Sequence, residues 1–365
     1  MGIFFQKVKY TFIKEDGLLP QTCLERRTKL AGSTAATKAI QAENAWQQVV
    51  SFLSPELKEI ISAVPQRYLA ELEEIRLRRD RPLMLGTGGA DLFVRKDGAV
   101  QHTPAGGLIL KASDLEKVIH NISGYSIYAL EEELRNGYLT LPGGHRVGLT
   151  GKAVLDNGLI KTIKHLSGLN LRVCREIKGI AGSVLGKLID RAAGNVYHTV
   201  IFSPPRCGKT TLLRDLVRQI SDGVPALNFP GRTVGVVDER SEIAGCHRGV
   251  PQMDVGVRTD VLDGCPKAQG MMLLLRAMSP DVIVTDEIGK MEDIKALEEV
   301  FNAGVRVIVT IHGSSLRELA GRPALQYLLQ LNVIERFVQL GRSRGVGTVE
   351  KIYTGSELPQ LGVKQ

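Results

Sequence analysis

A chain of 365 residues with 43% hydrophobic and 24% charged side chains has the composition of a globular protein with room for two ordinary domains. No stretch approaches the roughly 18 apolar residues of a membrane span, and the apolar Ile3, Phe4 and Phe5 give way to Gln6, Lys7 and Lys9 before a signal-peptide core develops. Half of the net charge of +8 lies in residues 1–40, where seven Lys or Arg face three acids. A solvated leader accounts for this better than a nucleic-acid or membrane patch, because residues 31–37 have little to bury.

The first helix start is Ser54-Pro55-Glu56, a capping residue followed by proline at the first helical position. Residues 74–78 alternate polar and apolar as a half-buried strand does, and 82–85 and 91–94 predict two further short strands. A capping box at Ser113-Asp114-Leu115-Glu116 opens a helix toward His120. Residues 137–141 and 145–149, joined by Pro142-Gly143-Gly144, predict a hairpin, and 169–173 predict another alternating strand. Together these elements predict an α+β domain over 44–178, with a hinge at 177–182.

The texture changes after a helix expected at 183–193. Residues 198–202 form a continuously apolar strand, and beyond it strands at 233–238, 282–286 and 305–311 alternate with helices at 268–278 and 292–302. That alternation predicts a parallel sheet covered on both faces, hence an α/β domain over 183–356. Residues 1–43 remain as the basic leader and 357–365 as a tail.

Strand, loop and helix occur in one run at the start of the second domain. The loop is Ser203, Pro204, Pro205, Arg206, Cys207, Gly208, Lys209, Thr210 and Thr211, and Leu212, Leu213 and Leu216 stripe the helix that follows. Backbone N–H groups in such a loop wrap a phosphate, helped by the positive end of the helix. Lys209 is placed to reach the β- and γ-phosphates of ATP, and Thr210 to ligate Mg²⁺. Ser203 and Arg206 stand where such loops commonly carry glycine. At a left-handed position a side chain costs about 1 kcal/mol or more.

A second signal is the apolar strand that ends in Asp286 and Glu287, 77 residues after Lys209. It reads as the Walker B partner of the loop, with Asp286 holding the magnesium shell and Glu287 polarising the attacking water. A third strand ends in Thr310 and His312, candidate sensors of the γ-phosphate. Asp238, Glu239 and Glu242 close an intervening strand and can face a nucleotide or simply solvent. Arg146, Arg172, Arg240, Arg248, Arg258 and Arg276 are candidates to complete the site from a neighbouring subunit, and sequence alone does not choose among them. No Asn-Lys-x-Asp follows Glu287, which argues against a GTPase.

The five cysteines, odd in number and without a Cys-x-x-Cys pair, fit free thiols in a reducing compartment. Cys246-His247 with Cys265 makes a poor tetrahedral zinc set.

Four separated stretches, 137–148, 207–215, 237–244 and 285–289, together resemble the stage III sporulation protein AA family of endospore-forming bacteria, which is similar to type II and type IV secretion ATPases. The resemblance spans about 46–353. It implies an N-terminal α+β domain moving against a RecA-like P-loop motor, a hexameric ring, and ATP with Mg²⁺ at the cleft. It implies an acidic box at 238–242, a histidine box at Thr310–His312, and Arg172 as an N-domain arginine reaching toward the nucleotide; Arg276 also matches a recurrent position. The implied role is to energise the channel between mother cell and forespore from the cytoplasmic side, docked to membrane-embedded channel proteins. The competing expectation is a nucleic-acid-handling P-loop ATPase. Aromatics at 5% supply no ladder for stacking bases, which argues against it. A third expectation, a nucleotide-binding scaffold without turnover, is opposed by Asp286 and Glu287.

Overall fold

Apolar residues that alternate along residues 72–78 set the first layer. The computed structural model describes residues 45–124 and 131–358. In it, Leu72–Arg78 (β1) buries Leu72, Ile75 and Leu77, and the three-residue step from Leu72 to Ile75 is absorbed by a bulge between Leu72 and Glu74. Met84–Thr87 (β2), Ala90–Val94 (β3), Val100–Gln101 (β4), Tyr138–Thr140 (β5), Arg146–Asp156 (β6) and Leu159–Arg172 (β7) complete an antiparallel sheet of order β4-β3-β2-β1-β7-β6-β5. The helices Ala45–Val50, Pro55–Ser62 and Ala112–Ser123 pack Trp46, Val49, Leu57, Ile61, Leu115 and Val118 into one core with Ile75, Leu77, Leu169 and Leu171. The start of Ala112–Ser123 is capped by Asp114, whose carboxylate accepts from the Lys111 N–H at 2.8 Å, so Ser113 lies inside the first turn and does not cap it. The expected hairpin forms, with Leu139 opposite Val147.

The strands β6 and β7 run on beyond the sheet. β1 pairs with β7 only at its Gly168–Arg172 end, so the remainder of β6 and β7 forms a two-stranded arm. Asn157 and Gly158 turn it with φ of 50° and 80°, the pair of positive φ values that a two-residue hairpin turn requires.

The second sheet is built from Thr199–Ser203, Val234–Asp238, Thr259–Asp263, Val282–Thr285, Arg306–His312, Arg336–Gly341 and Thr348–Thr354. Two short ribbons, Ile189–Asp190 (β8) with Asn195–Val196 (β9) and Gly223–Val224 (β11) with Phe229–Pro230 (β12), fall before and between these strands in the chain, and the sheet strands are in turn β10, β13, β14, β15, β16, β17 and β18. Their order is β14-β13-β15-β16-β10-β17-β18. Every pair is parallel except β17 with β18, which makes the sheet mixed and not purely parallel as expected. The exception has a simple cause: an edge strand that stays partly exposed needs only a short return loop, whereas a parallel one needs a crossover. The helix expected at 183–193 spans only Gly182–Leu188, because Ile189 turns extended and enters β8.

Both faces of the central strands are buried, as their unbroken apolar runs require. Ile201, Val236, Val284 and Ile308 face one core with Leu212, Leu213 and Leu216; Val200, Phe202, Ile283 and Val307 face the other with Leu297 and Val300. Polar contacts join the two sheets within the unit that begins at Ala45. Arg146 donates from Nη1 to Glu242 Oε1 at 2.6 Å, and Gly143 N–H donates to Gln252 Oε1 at 2.9 Å. The segment expected to be a hinge is held at both ends. Glu176 accepts from the Asp254 N–H at 2.7 Å, Lys178 bonds Asp254, and Ala181 N–H donates to Asp215 Oδ2 at 2.8 Å. The basic leader and residues 359–365 of the expected tail lie outside the described residues. Among the described residues no helix is long and apolar enough to cross a membrane.

Candidate functional site

Parallel pairing decides what meets at the sheet edge. With Ser203 opposite His312 and Thr285 opposite Val309, the C-terminal ends of β10, β15 and β16 deliver Ser203, Asp286, Glu287, Thr310 and His312 to one side. The loop leaves β10 at the buried Ser203, passes the exposed Pro204, Pro205 and Arg206, and re-enters through the buried Cys207. Gly208 (φ 84°) then starts the helix Lys209–Asp222, whose first turn holds Thr210 and Thr211. A Cβ on Gly208 would lie 3.1 Å from Gly347 Cα as well as in the left-handed region, so glycine is doubly required there.

The two departures from a glycine-rich loop are unequal. Arg206 has φ 59°, the left-handed region that strains a side-chain-bearing residue, and its carbonyl accepts from Arg342 Nη2 at 2.6 Å. Ser203 is an ordinary strand residue whose hydroxyl bonds within the loop.

Lys209 is almost completely buried and folds back along the loop. Its Nζ bonds Ser203 O and Ser203 Oγ at 3.1 Å, Pro204 O at 3.2 Å and His312 Nδ1 at 3.0 Å. Burial pushes its ammonium below the ordinary lysine value. An ammonium only donates, so His312 Nδ1 is the acceptor and the ring proton sits on Nε2, which donates to Glu287 Oε1 at 2.8 Å. Lys209, His312 and Glu287 thus form one hydrogen-bonded chain.

Glu287 is fixed from every side. Its φ of 47° is a left-handed strain held in place by Thr310, whose Oγ1 accepts from the Glu287 N–H at 2.9 Å. Its other carboxylate oxygen accepts from Arg240 Nη1 at 3.1 Å. Burial pushes its pKa upward, but the His312 hydrogen bond and the Arg240 charge outweigh it and hold Glu287 below the usual carboxylate value. Asp286 behaves in the opposite way. It is buried, and desolvation together with the nearby Asp238 charge raises it to about 7 against the opposing pull of Lys267. Thr285 Oγ1, on the residue before it, is buried without a hydrogen-bond partner.

Asp238 and Glu239 build the neighbouring turn. Asp238 Oδ1 accepts from the Glu242 N–H at 2.8 Å, and Oδ2 accepts from the Ile243 and Ala244 N–H groups at 3.0 and 2.8 Å. Glu239 pairs with the buried Lys267. Arg214, one helical turn beyond Thr210, donates to the carbonyls of Glu242 and Ile243. A cleft of about 480 Å³ beside these groups is lined by Glu287, Arg240, Glu239, Lys267 and Lys290.

The candidate arginines are dispersed. Arg172 lies on β7, 62% exposed, with Glu74 at 3.9 Å as its ion partner, so within one chain it does not join the Lys209 group. Arg146 stacks on Tyr138 at 3.7 Å and reaches Glu242, Arg258 bonds Ser221, and Arg276 lines a shallow groove with Leu273. Arg248 is exposed on the wall of a cavity of about 580 Å³. Sequence reasoning missed Lys267 and Arg214. Lys267 begins a helix without a motif of its own, and Arg214 sits in the 207–215 stretch beyond its phosphate-binding residues, so only the fold reveals what they touch.

The arrangement is that of an α/β protein with a strand–loop–helix unit at the C-terminal edge of a largely parallel sheet. The chain belongs to the family described as Sporulation stage III, protein AA, whose model matches residues 43–358. It is 43% identical over 306 residues to Stage III sporulation protein AA of Bacillus subtilis (strain 168), covering 84% of this chain and 94% of that protein. Protein SEEDLING PLASTID DEVELOPMENT 1 of Arabidopsis thaliana is 29% identical over 44% of this chain and 22% of its own length. Among solved structures, the ATPase DotB of Yersinia pseudotuberculosis is similar over 78% of this chain and 75% of that one, at 14% identity and TM-score 0.49. The DotB ATPase of Legionella pneumophila gives 18% identity and TM-score 0.47 over 78% and 74%.

Proposed function

We propose that this chain is an ATP-hydrolysing motor of the secretion-ATPase type serving endospore formation, where it energises the channel between mother cell and forespore. Membership of a sporulation stage III family supports the setting. The observation that carries the chemistry is the Lys209–His312–Glu287 chain, which links the loop lysine to a strained, pinned carboxylate over one imidazole.

On this reading the N–H groups of residues 206–210 and the helix start cradle the ATP phosphates. Lys209 exchanges its loop carbonyls for phosphate oxygens, at little cost because its ammonium is already desolvated. Glu287, ionised and oriented by Thr310, accepts a hydrogen bond from the attacking water, and Arg240 keeps it charged. His312 reports phosphate occupancy to Glu287, since losing Lys209 as a donor frees its Nδ1. Asp238 and Glu239 support the site by shaping the turn next to it.

Among the described residues no three His, Cys, Asp or Glu side chains converge as a metal site. Mg²⁺ fits here as a guest of the nucleotide, because it takes one or two protein oxygens and fills its shell with water and phosphate. The Thr210 hydroxyl, on the first turn of the loop helix, and the Asp286 carboxylate, at the end of β15, would hold it. When bound, the ion neutralises charge on the phosphates.

The proposed assembly is a hexameric ring of α+β domains and RecA-like motors, with the exposed Arg172 acting on the neighbouring subunit's nucleotide. It works in the mother-cell cytoplasm, attached to the membrane through channel proteins. Steady-state ATP hydrolysis by the full chain tests this directly: turnover that survives both Lys209→Ala and Glu287→Gln would remove the assignment.

A further inference from the structure

The two-stranded arm ends in surface that no part of the described chain covers. Leu155, Leu159 and Ile160 are 62%, 75% and 48% exposed, whereas at the base of the arm Ile163 and Leu166 pack against the first core. Leu155 is the cross-strand partner of Ile160, while Leu159 pairs with Asp156 on the opposite face. Apolar side chains therefore wrap both faces of the arm's end and form no stripe that a groove-binding peptide would match. Six residues beyond the sheet at about 3.3 Å each carry this end roughly 20 Å outward.

The charges behind the tip have one sign. Lys152 stands directly opposite Lys164, an arrangement that destabilises a hairpin in water. Among the described residues neither lysine has an acid within ion-pair distance. Lys161, extruded at the register shift beside Leu155, reaches the only acid at this end, Asp156, at 3.5 Å; with side chains 66% and 59% exposed that pair is worth little. An exposed apolar end with unneutralised lysines set behind it is complementary to an anionic bilayer surface. Leucine and isoleucine enter the acyl boundary, and long lysine stems keep their ammonium groups among the headgroups.

We propose that the β6–β7 arm is a membrane-contact element that inserts Leu155, Leu159 and Ile160 into an anionic lipid surface, with Lys152, Lys161 and Lys164 at the phosphates. The site is independent of the nucleotide reading, and loss of ATPase activity leaves it untouched.

The test places a reporter at the tip of the full chain. The sequence has one tryptophan, Trp46, which is buried in the first core, so Leu159→Trp adds an isolated signal. With vesicles of phosphatidylglycerol and phosphatidylcholine its emission is expected to shift to the blue and to be quenched by brominated acyl chains. Pure phosphatidylcholine vesicles should leave it unchanged. Adding Lys152→Gln, Lys161→Gln and Lys164→Gln should weaken this partitioning on the order of a hundredfold, at roughly fivefold per lysine. The basic residues 1–40 attract the same vesicles, and the tip signal separates the two: protein that sediments with anionic vesicles while the tip emission stays that of water overturns the proposal. A blue shift that grows with protein concentration without lipid also overturns it, in favour of a second copy of the chain. Circular dichroism of each variant confirms that the exposed substitutions leave the fold intact.

Discussion

The Nε2 of His312 lies 2.8 Å from Oε1 of Glu287 while its Nδ1 accepts from Lys209 at 3.0 Å, so one imidazole makes the loop lysine and the sheet-edge carboxylate a single unit. The unit predicts a separation of binding from turnover. His312→Ala should lower kcat by roughly 10²-fold, the lower range for losing an acid–base partner, while the ATP dissociation constant moves only a few-fold. Equilibrium nucleotide binding beside steady-state kinetics measures both. A loss confined to binding would show that His312 serves only Lys209.

The loop's two non-glycine positions should respond with opposite signs. Arg206→Gly removes a left-handed strain and should raise stability by about 0.5–1 kcal/mol after the entropy that glycine adds to the unfolded chain. Ser203→Gly should lower it, because Ser203 is not left-handed and its hydroxyl is a ligand of the buried Lys209. Urea midpoints of the two variants decide this, and stabilisation by Ser203→Gly would contradict it.

Asp286 predicts a pH dependence. Its native pKa of about 7 lies above the ordinary 3.8, so between these values the native state holds a proton that the unfolded chain has lost. Stability from this group is therefore present at low pH and is lost as the pH rises toward 7. Asp286→Asn should flatten that part of the profile and make the protein more stable than wild type at pH 8. Denaturant titrations at pH 5 and pH 8 test it; an unchanged slope in the variant would place the titration elsewhere.

Arg146→Ala should cost little stability. Its bridge to Glu242 is partly exposed on both sides, which limits it to about 1 kcal/mol with a similar amount from the Tyr138 stack. The larger effect expected is on turnover, because Glu242 is held in turn by Arg214 on the helix that starts at Lys209. A melting-temperature shift without any change in kcat would limit Arg146 to a structural role.

The legible parts of this protein were those in which one strand carries its own chemistry. Residues 198–202, 282–286 and 305–311 announce buried parallel strands by unbroken apolar runs, and the polar residues that end them fall together because parallel register leaves no alternative. The arm was hidden because Lys152, Lys161 and Lys164 break the apolar alternation that marks a strand, although Asn157-Gly158 carried the turn signal. β18 was hidden because an exposed edge needs no apolar pattern. The left-handed φ of Glu287 was beyond reach for a different reason, since glutamate gives no local sign of it, whereas that of Arg206 is signalled only by its place where such loops carry glycine. Arg172 shows the limit of resemblance: its own chain gives it Glu74 as ion partner and leaves it outside the Lys209 group.

The central claim, that the Ser203–Thr210 loop and Glu287 form a hydrolytic ATP site, is tested most directly by comparing ATP binding and hydrolysis in Glu287→Gln. The variant keeps the side-chain length and the left-handed strain and removes only the charge. ATP should bind as tightly as in wild type, within a few-fold, with turnover lowered by about 10²-fold or more. Unchanged turnover with unchanged binding would contradict it.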